Sequence, residues 1–396
     1  MFLNLPIHLP HSARWLESGF EERISNLKCG NFRIAFYYDF PDSSTFRYRV
    51  HNFIEAIDGM SLEKSRVKVS TSWFCKADGD LVQILPECVD VLVICRARYS
   101  DQLDSLILRS KNLGKKVFFD VDDLVFDSSH VPMLIDTLGQ DTYLESTWDY
   151  WFGYVGRIRE ALIRCDEVIV TNNMLAQRVR ELTGKNARVV PNFVNADQLI
   201  ASETLWQTKT ETGFQSDERI HLGYFSGSPT HNKDFAMIEG VLAEMMKFDR
   251  RIFLNLVGFL EPGDGLGKFK DRICRLPLLD YINLQRVVAS TEINMVPLQQ
   301  NIFTNCKSEL KFFEAAIVGT TTVASPTYAY SQAIKDGRTG WISEDENWTE
   351  KLGCAIRALD KQRESYQLMA KRARKSALSQ FTPSANRKKI LDAFAR

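Results

Sequence analysis

From Asn31 onward, short apolar runs alternate with segments whose apolar residues recur at helical spacing. The runs FRIAFYY (32–38), RVKVST (66–71), DVLVIC (90–95), KKVFFD (115–120), DEVIVT (166–171) and ARVV (187–190) read as strands. Helical spacing fills 46–57, 101–113, 153–165 and 174–183. Strand and helix in repeated alternation build a parallel sheet, because each crossover helix buries its apolar stripe against the sheet. The rhythm stops across PNFVNADQLIASETLWQTKTETGFQSDE (191–218) and resumes at RIHLGYF (219–225), IFLNLVG (252–258), EINMVP (292–297), TTTVAS (320–325) and GWIS (340–343). The pattern predicts an α/β chain with two doubly wound parallel sheets in tandem. An extension spans 1–30, a first domain 31–190, a linker 191–218, a second domain 219–347, and helices 348–396. Ligands of open α/β sheets sit beyond the carboxyl ends of the strands. Two such sheets therefore predict a site in the cleft between them.

Composition narrows the function classes. A chain of 396 residues, 44% apolar and 25% charged, suits two soluble domains. Fifty Lys and Arg balance fifty Asp and Glu, which gives no electrostatic case for nucleic acid. No apolar run approaches the roughly 20 residues of a membrane span, and MFLNLPIHLPHSARW lacks the basic start and apolar core of a signal peptide. A cytoplasmic location is expected. The eight cysteines show no metal-ligand spacing and read as buried free thiols. In the extension Trp15, Leu16, Phe20, Ile24 and Leu27 form a narrow apolar face, expected to pack against the main body. From Lys361 to Arg396 ten basic residues face two acids. That excess reads either as a solvated helix face or as a peripheral contact with anionic lipid or a lipid diphosphate acceptor.

The densest chemistry lies in NCKSELKFFEAAIVGTTTVASPTYAYSQAIKDGRTG (305–340). Lys307 and Ser308 fall where a helix should begin, with Ser308 as its cap. Lys311 and Glu314 follow three residues apart, on adjoining parts of one face. Gly319 closes the helix where a left-handed residue is needed, and a buried strand follows. Cations, helix-start amides and a carboxylate one turn in suit a ligand carrying phosphate and a sugar diol.

This segment resembles the donor-binding signature of GT-B glycosyltransferases, especially the family 4 group that builds bacterial surface polysaccharides: K-S-x-x-K-x-x-E, a few apolar residues, then G-x-P-V-x-A-S. Lys307, Ser308, Lys311, Glu314, Gly319, Ala324 and Ser325 match it, and Thr321 stands where proline is usual. The resemblance implies two Rossmann-like domains facing a cleft, with a C-terminal tail crossing back to the first. It implies a nucleotide-diphosphate sugar as donor substrate, no separate cofactor, no metal, and retention at the anomeric carbon. Glu314 would accept from the ribose hydroxyls, while Lys233, Lys307 and Lys311 would offset charge on the leaving diphosphate. The acceptor would be a glycan or lipid-linked glycan of O-antigen or capsule type.

The turn after 219–225, GYFSGSPTHNKDF (223–235), offers Ser226, Gly227 and Ser228 as small residues that let backbone amides approach the diphosphate. The family commonly carries G-R here with a lysine further on. Lys233 fits the lysine, and Ser228 lies near the missing arginine. The family's E-x7-E is also incomplete: Cys306 lies eight positions before Glu314, and Glu309 is out of register. CRLPLLDY (274–281) lies where the resembled enzymes cradle the base, and G-x-G-x-G within EPGDGLGKF (261–269) reads as a mobile loop.

In the first half, KKVFFDVDDLVFD places Asp120, Asp122 and Asp123 at the carboxyl end of a strand. They read either as an acceptor-binding loop that takes sugar hydroxyls or as a cap for the next helix. Asp122 and His130 are catalytic candidates beside Lys233 and Lys311, and Arg47 is a candidate anchor for an acceptor phosphate. An epimerase of the same fold and a catalytically degenerate scaffold subunit are the rival readings. A dehydrogenase lacks its G-x-G-x-x-G after the first strand.

Overall fold

The computed structural model describes residues 11–60, 67–215, 217–227, 232–260 and 263–394. Two six-stranded sheets, parallel throughout, organise the chain. The first comprises β1 (Phe32–Tyr38), β2 (Val69–Cys75), β3 (Val91–Cys95), β4 (Lys116–Val121), β5 (Glu167–Val170) and β6 (Ala187–Val189), in the order β2-β1-β3-β4-β5-β6. The second comprises β7 (Ile220–Ser226), β8 (Ile252–Gly258), β9 (Ile273–Leu276), β10 (Ile293–Val296), β11 (Thr321–Ala324) and β12 (Trp341–Ile342), in the order β12-β11-β10-β7-β8-β9. Helices cover both faces, so the strand interiors are buried on two sides and read as continuous apolar runs.

Three differences from the sequence pattern have physical causes. Strand β2 lies three residues later than its pattern, because VSTSWFC hides buried polar residues whose bonds are met internally. Ser70 donates to the Leu27 carbonyl, and the Thr71 amide and hydroxyl reach Asp58. Strand β9, at the far edge of its sheet, occupies part of the segment read as a base cradle. The crossing segment contains the helix Ala196–Glu211, closed by a reciprocal Asn195–Gln198 cap. Its buried face is Gln198, Ser202, Leu205 and Lys209, a helical spacing built largely from polar groups. The Lys209 ammonium donates to the Thr291 carbonyl (2.7 Å) and the Thr320 hydroxyl (2.6 Å), and burial pushes its pKa down to about 7.

Both ends of the described chain pack on the body. Trp15 is buried against His51 (4.6 Å between ring centroids) and Tyr281 (6.1 Å), so the extension touches both halves, although Leu16 is exposed. The last helix, Pro383–Phe394, lies on the first sheet. Phe394 meets Phe36 and Phe118 edge-on, and Arg387 donates to the Ala56 carbonyl at 2.9 Å. Beyond β8, 3₁₀ turns run over Asp264–Arg272 and take in part of the glycine-rich stretch. No helix among the described residues is long and apolar enough to cross a membrane.

Candidate active site between the two sheets

In the second sheet the strand order reverses between β7 and β10, where the following loops must diverge and leave a crevice. Ser226 ends β7, buried, and Gly227 follows, exposed. Ser228 lies outside the described residues. Gly258, at the end of β8, holds φ +98°, and a Cβ there would come 1.8 Å from the Ser226 carbonyl oxygen. Only glycine lets the two strand ends approach so closely.

The segment after β10 supplies the charged groups. The helix there runs Leu310–Ile317, with Glu309 at the cap position and no side-chain cap bond. Ser308 therefore sits in the preceding turn, and its expected capping role is not observed. Gly319 does take the left-handed conformation, φ +79°. The Lys307 ammonium lies over the Phe303 ring at 4.7 Å. Lys311 is half-buried as a residue, but its Nζ is sealed from solvent, lies 5.1 Å from the Tyr224 ring centre and has no hydrogen-bond partner among the described residues. Burial pushes its pKa down to about 8, opposed by the anionic Asp234 and Glu314 and assisted by Lys307. Burial also pushes the Glu309 carboxyl up to about 7.

Glu314, 7% exposed, faces the other sheet. Its Oε1 accepts from the Tyr48 hydroxyl, from Gln198 Nε2 at 3.1 Å and from Arg47 Nη2 at 3.5 Å. Its Oε2 accepts no bond among the described residues. Arg47 and Tyr48 belong to a π-helical turn, Arg47–His51, a widened geometry frequent at functional sites. Arg47 also donates to Gln198 (2.8 Å) and the Ser43 carbonyl (2.8 Å) and lies against the Tyr48 and Tyr281 rings. Buried, with each of its three guanidinium nitrogens donating inside the protein, it is not placed to anchor an acceptor phosphate. It pairs instead with Glu314, a candidate from the opposite half.

Other bonds close the two halves on each other. Lys233 Nζ meets Asp136 at 2.7 Å on the exposed rim. Asn172, after β5, donates to the Cys306 carbonyl (3.0 Å), and Asn301 donates to the Thr137 hydroxyl (2.9 Å).

The three aspartates divide. Asp120, 1% exposed, gives both oxygens to the fully buried Arg49 at 2.7 and 2.8 Å. It is a structural ion pair, and the acceptor-binding expectation for it is corrected. Asp122 and Asp123 stay at the cleft wall, both held by Arg96 Nη1 at 2.9 and 3.1 Å, with Thr45 also donating to Asp122. Arg96 follows β3 with φ +43°, a conformation uncommon for a side-chain-bearing residue. Sequence reasoning passed over it, although its position just after the DVLVIC run was a usable signal. His130 Nε2 lies 3.6 Å from Asp127.

No protein-family model and no curated protein matches the chain. Solved structures do. The Anabaena Alr3699/HepE structure, described as a complex with UDP and glucose, superposes with a TM-score of 0.58 at 12% identity over 91% of this chain and 99% of that one. A glycosyltransferase from Rickettsia africae gives 0.57 at 14% identity, covering 92% and 98%. Sucrose-phosphate synthase from Thermosynechococcus elongatus gives 0.56 at 14% identity, covering 91% and 98%. The chain has the GT-B fold. In GT-B terms the crevice at β7 and β10 faces the wall formed by Arg96, Asp122 and Asp123. The inter-sheet bonds, Tyr48–Glu314 among them, span the cleft itself.

Proposed function

We propose that the chain is a glycosyltransferase that moves a sugar from a nucleotide-diphosphate sugar to a glycan or lipid-linked acceptor. The observation that carries this reading is the sealed Lys311 ammonium, which has no hydrogen-bond partner among the described residues, one turn before Glu314 on the same helix. A buried cation without a partner is costly, so its retention calls for an anion that arrives with the ligand. A diphosphate supplies that anion, and a ribose diol suits the open carboxylate oxygen. Lys307, Ser308, Ser226, Gly227 and Ser228 would complete the diphosphate cradle, with Lys233 joining after release from Asp136. UDP in the HepE structures supports a uridine nucleotide as the first donor to test.

Charge building on the leaving diphosphate would be met by Lys311 and its neighbours, which can do the work of a metal ion. Asp122 and Asp123 would accept hydrogen bonds from acceptor hydroxyls, and His130 would assist from the same wall. Retention and a surface-polysaccharide role rest on the signature at 307–325. Peripheral membrane contact through the basic tail draws on Lys371, Arg372 and Lys375, which remain exposed, whereas Arg374 is spent on Glu203 and the Ile317 carbonyl.

Thermal-shift screening against UDP, GDP, dTDP, CMP and their sugars tests the reading. One diphosphate nucleotide should raise the melting temperature, and Lys311→Met should abolish the rise. No stabilisation by any of them would overturn it. Product from donor alone would favour the epimerase.

A further inference from the structure

The first sheet has an edge at β2, and the outward row of backbone groups there is closed at both ends. The Val69 amide donates to the Met60 carbonyl (2.7 Å), and the Val69 carbonyl accepts from the Gly59 amide (3.1 Å). The Thr71 amide reaches Asp58 at 2.8 Å, Arg23 donates to the Trp73 carbonyl at 3.2 Å, and the Cys75 amide reaches Asp78 at 2.8 Å. Such caps keep an edge strand from pairing with another chain. Two groups in the middle of the row remain. The Thr71 carbonyl and the Trp73 amide make no hydrogen bond among the described residues, although both residues are buried.

Thr71 and Trp73 line a cavity of about 320 Å³, at the lower end of the range of small-ligand sites. Arg23 and Asn26 border it from the helix Phe20–Leu27, and Ile54 borders it from the helix Asn52–Ile57. These helices cover opposite faces of the sheet, so the cavity occupies the slot that a further strand would fill. Its spacing selects the ligand. In a parallel ladder a residue bonds to the neighbours of the residue it faces. A residue facing Ser72 would therefore donate to the Thr71 carbonyl and accept from the Trp73 amide. A peptide residue presents N–H and C=O to one side, whereas the two ends of a single trans amide point apart.

Side chains follow from the same register. Ser70 and Ser72 turn to the face covered by the helix Phe20–Leu27, where Ser70 donates to the Leu27 carbonyl. A residue facing Ser72 would meet that polar wall, and its two neighbours would turn toward Trp15 and Ile54. The charges balance. Arg14, Arg23 and Lys68 border the cavity with Asp58, and Asp197 and Asp78 pair with the two arginines. His51 adds no charge at neutral pH, since burial pushes its pKa down to about 4.

We infer that the β2 edge binds an extended, uncharged peptide running parallel to it, with a small residue facing Ser72 and apolar residues on either side. None of the residues involved belongs to the candidate active site, so the inference stands apart from the transferase reading. The probe is acetyl-Val-Ser-Val-amide at millimolar concentration, and the control is the same peptide methylated on the serine nitrogen, which cannot donate to Thr71. Amide exchange of the full chain is followed by NMR. The first peptide should slow exchange at Trp73 by at least about tenfold and leave β3 and β4 unchanged, and the methylated peptide should have no effect.

Unchanged exchange at Trp73 with the first peptide would leave the cavity to water and overturn the inference. Equal slowing by both peptides would also overturn it, because the strand-like bridge would then be absent. Protection of Trp73 that grows with protein concentration, without peptide, would assign the edge to a second copy of the chain and overturn it as well.

Discussion

Lys311 holds the sharpest residue-scale consequence. Its pKa in the folded chain is about 8, below the 10.5 of a free lysine, because burial disfavours the charged form. The folded state therefore binds fewer protons than the unfolded state between those values, and the destabilisation present below pH 8 is relieved as pH rises toward 10.5. Ligand affinity should move the other way. Above pH 8 the free site is neutral, so a diphosphate must draw in a proton, and UDP affinity should fall by up to tenfold per unit. Calorimetry in two buffers of different ionisation enthalpy would register the uptake, and Lys311→Met should remove it. The Arg49–Asp120 pair makes a different demand. Asp120→Ala leaves a guanidinium buried and should cost about 3–5 kcal/mol in urea unfolding. Nothing in the local spacing separated Asp120 from Asp122. Asp120 is fully buried and Asp122 is not, and only the partners distinguish them: Arg49 from the π-helical turn Arg47–His51 and Arg96 from the residue after β3.

At the scale of elements, the glycine that ends β8 governs the loop that ends β7. Gly258→Ala would place a methyl group against the Ser226 carbonyl in a backbone region alanine avoids. The variant should lose at least about 2 kcal/mol of stability, and nucleotide stabilisation should fall with it as the Ser226–Gly227 turn shifts. Strands such as β3 and β4 were legible in the sequence because burial on both faces leaves an unbroken apolar run. The helix Ala196–Glu211 was not, since its inward face carries Gln198, Ser202 and Lys209, and the charged or amide ends of Gln198 and Lys209 find partners distant in sequence. The helix Leu310–Ile317 was legible through Lys311, Glu314 and Gly319. Its start was misplaced by one residue, because no side chain caps it.

For the whole molecule, the two halves meet through groups that belong to the proposed donor site. Arg47 and Glu314 are 267 positions apart in sequence, so their pairing could not be read from either segment. The Tyr48 hydroxyl donates to the buried carboxylate, and its ring also packs edge-on against Phe313 at 6.3 Å. Under the proposed function, donor entry would require Glu314 to share or exchange its partners, and Lys233 to leave Asp136. Tyr48→Phe removes the bond and keeps the ring contact. A hydrogen bond to a charged group is worth about 1.5–3 kcal/mol, so opening should become at least tenfold more frequent. Amide exchange in 302–317 and in 47–57 should accelerate together while β3 and β4 stay protected. Acceleration in only one of the two segments, or in neither, would mean that this contact does not couple the halves.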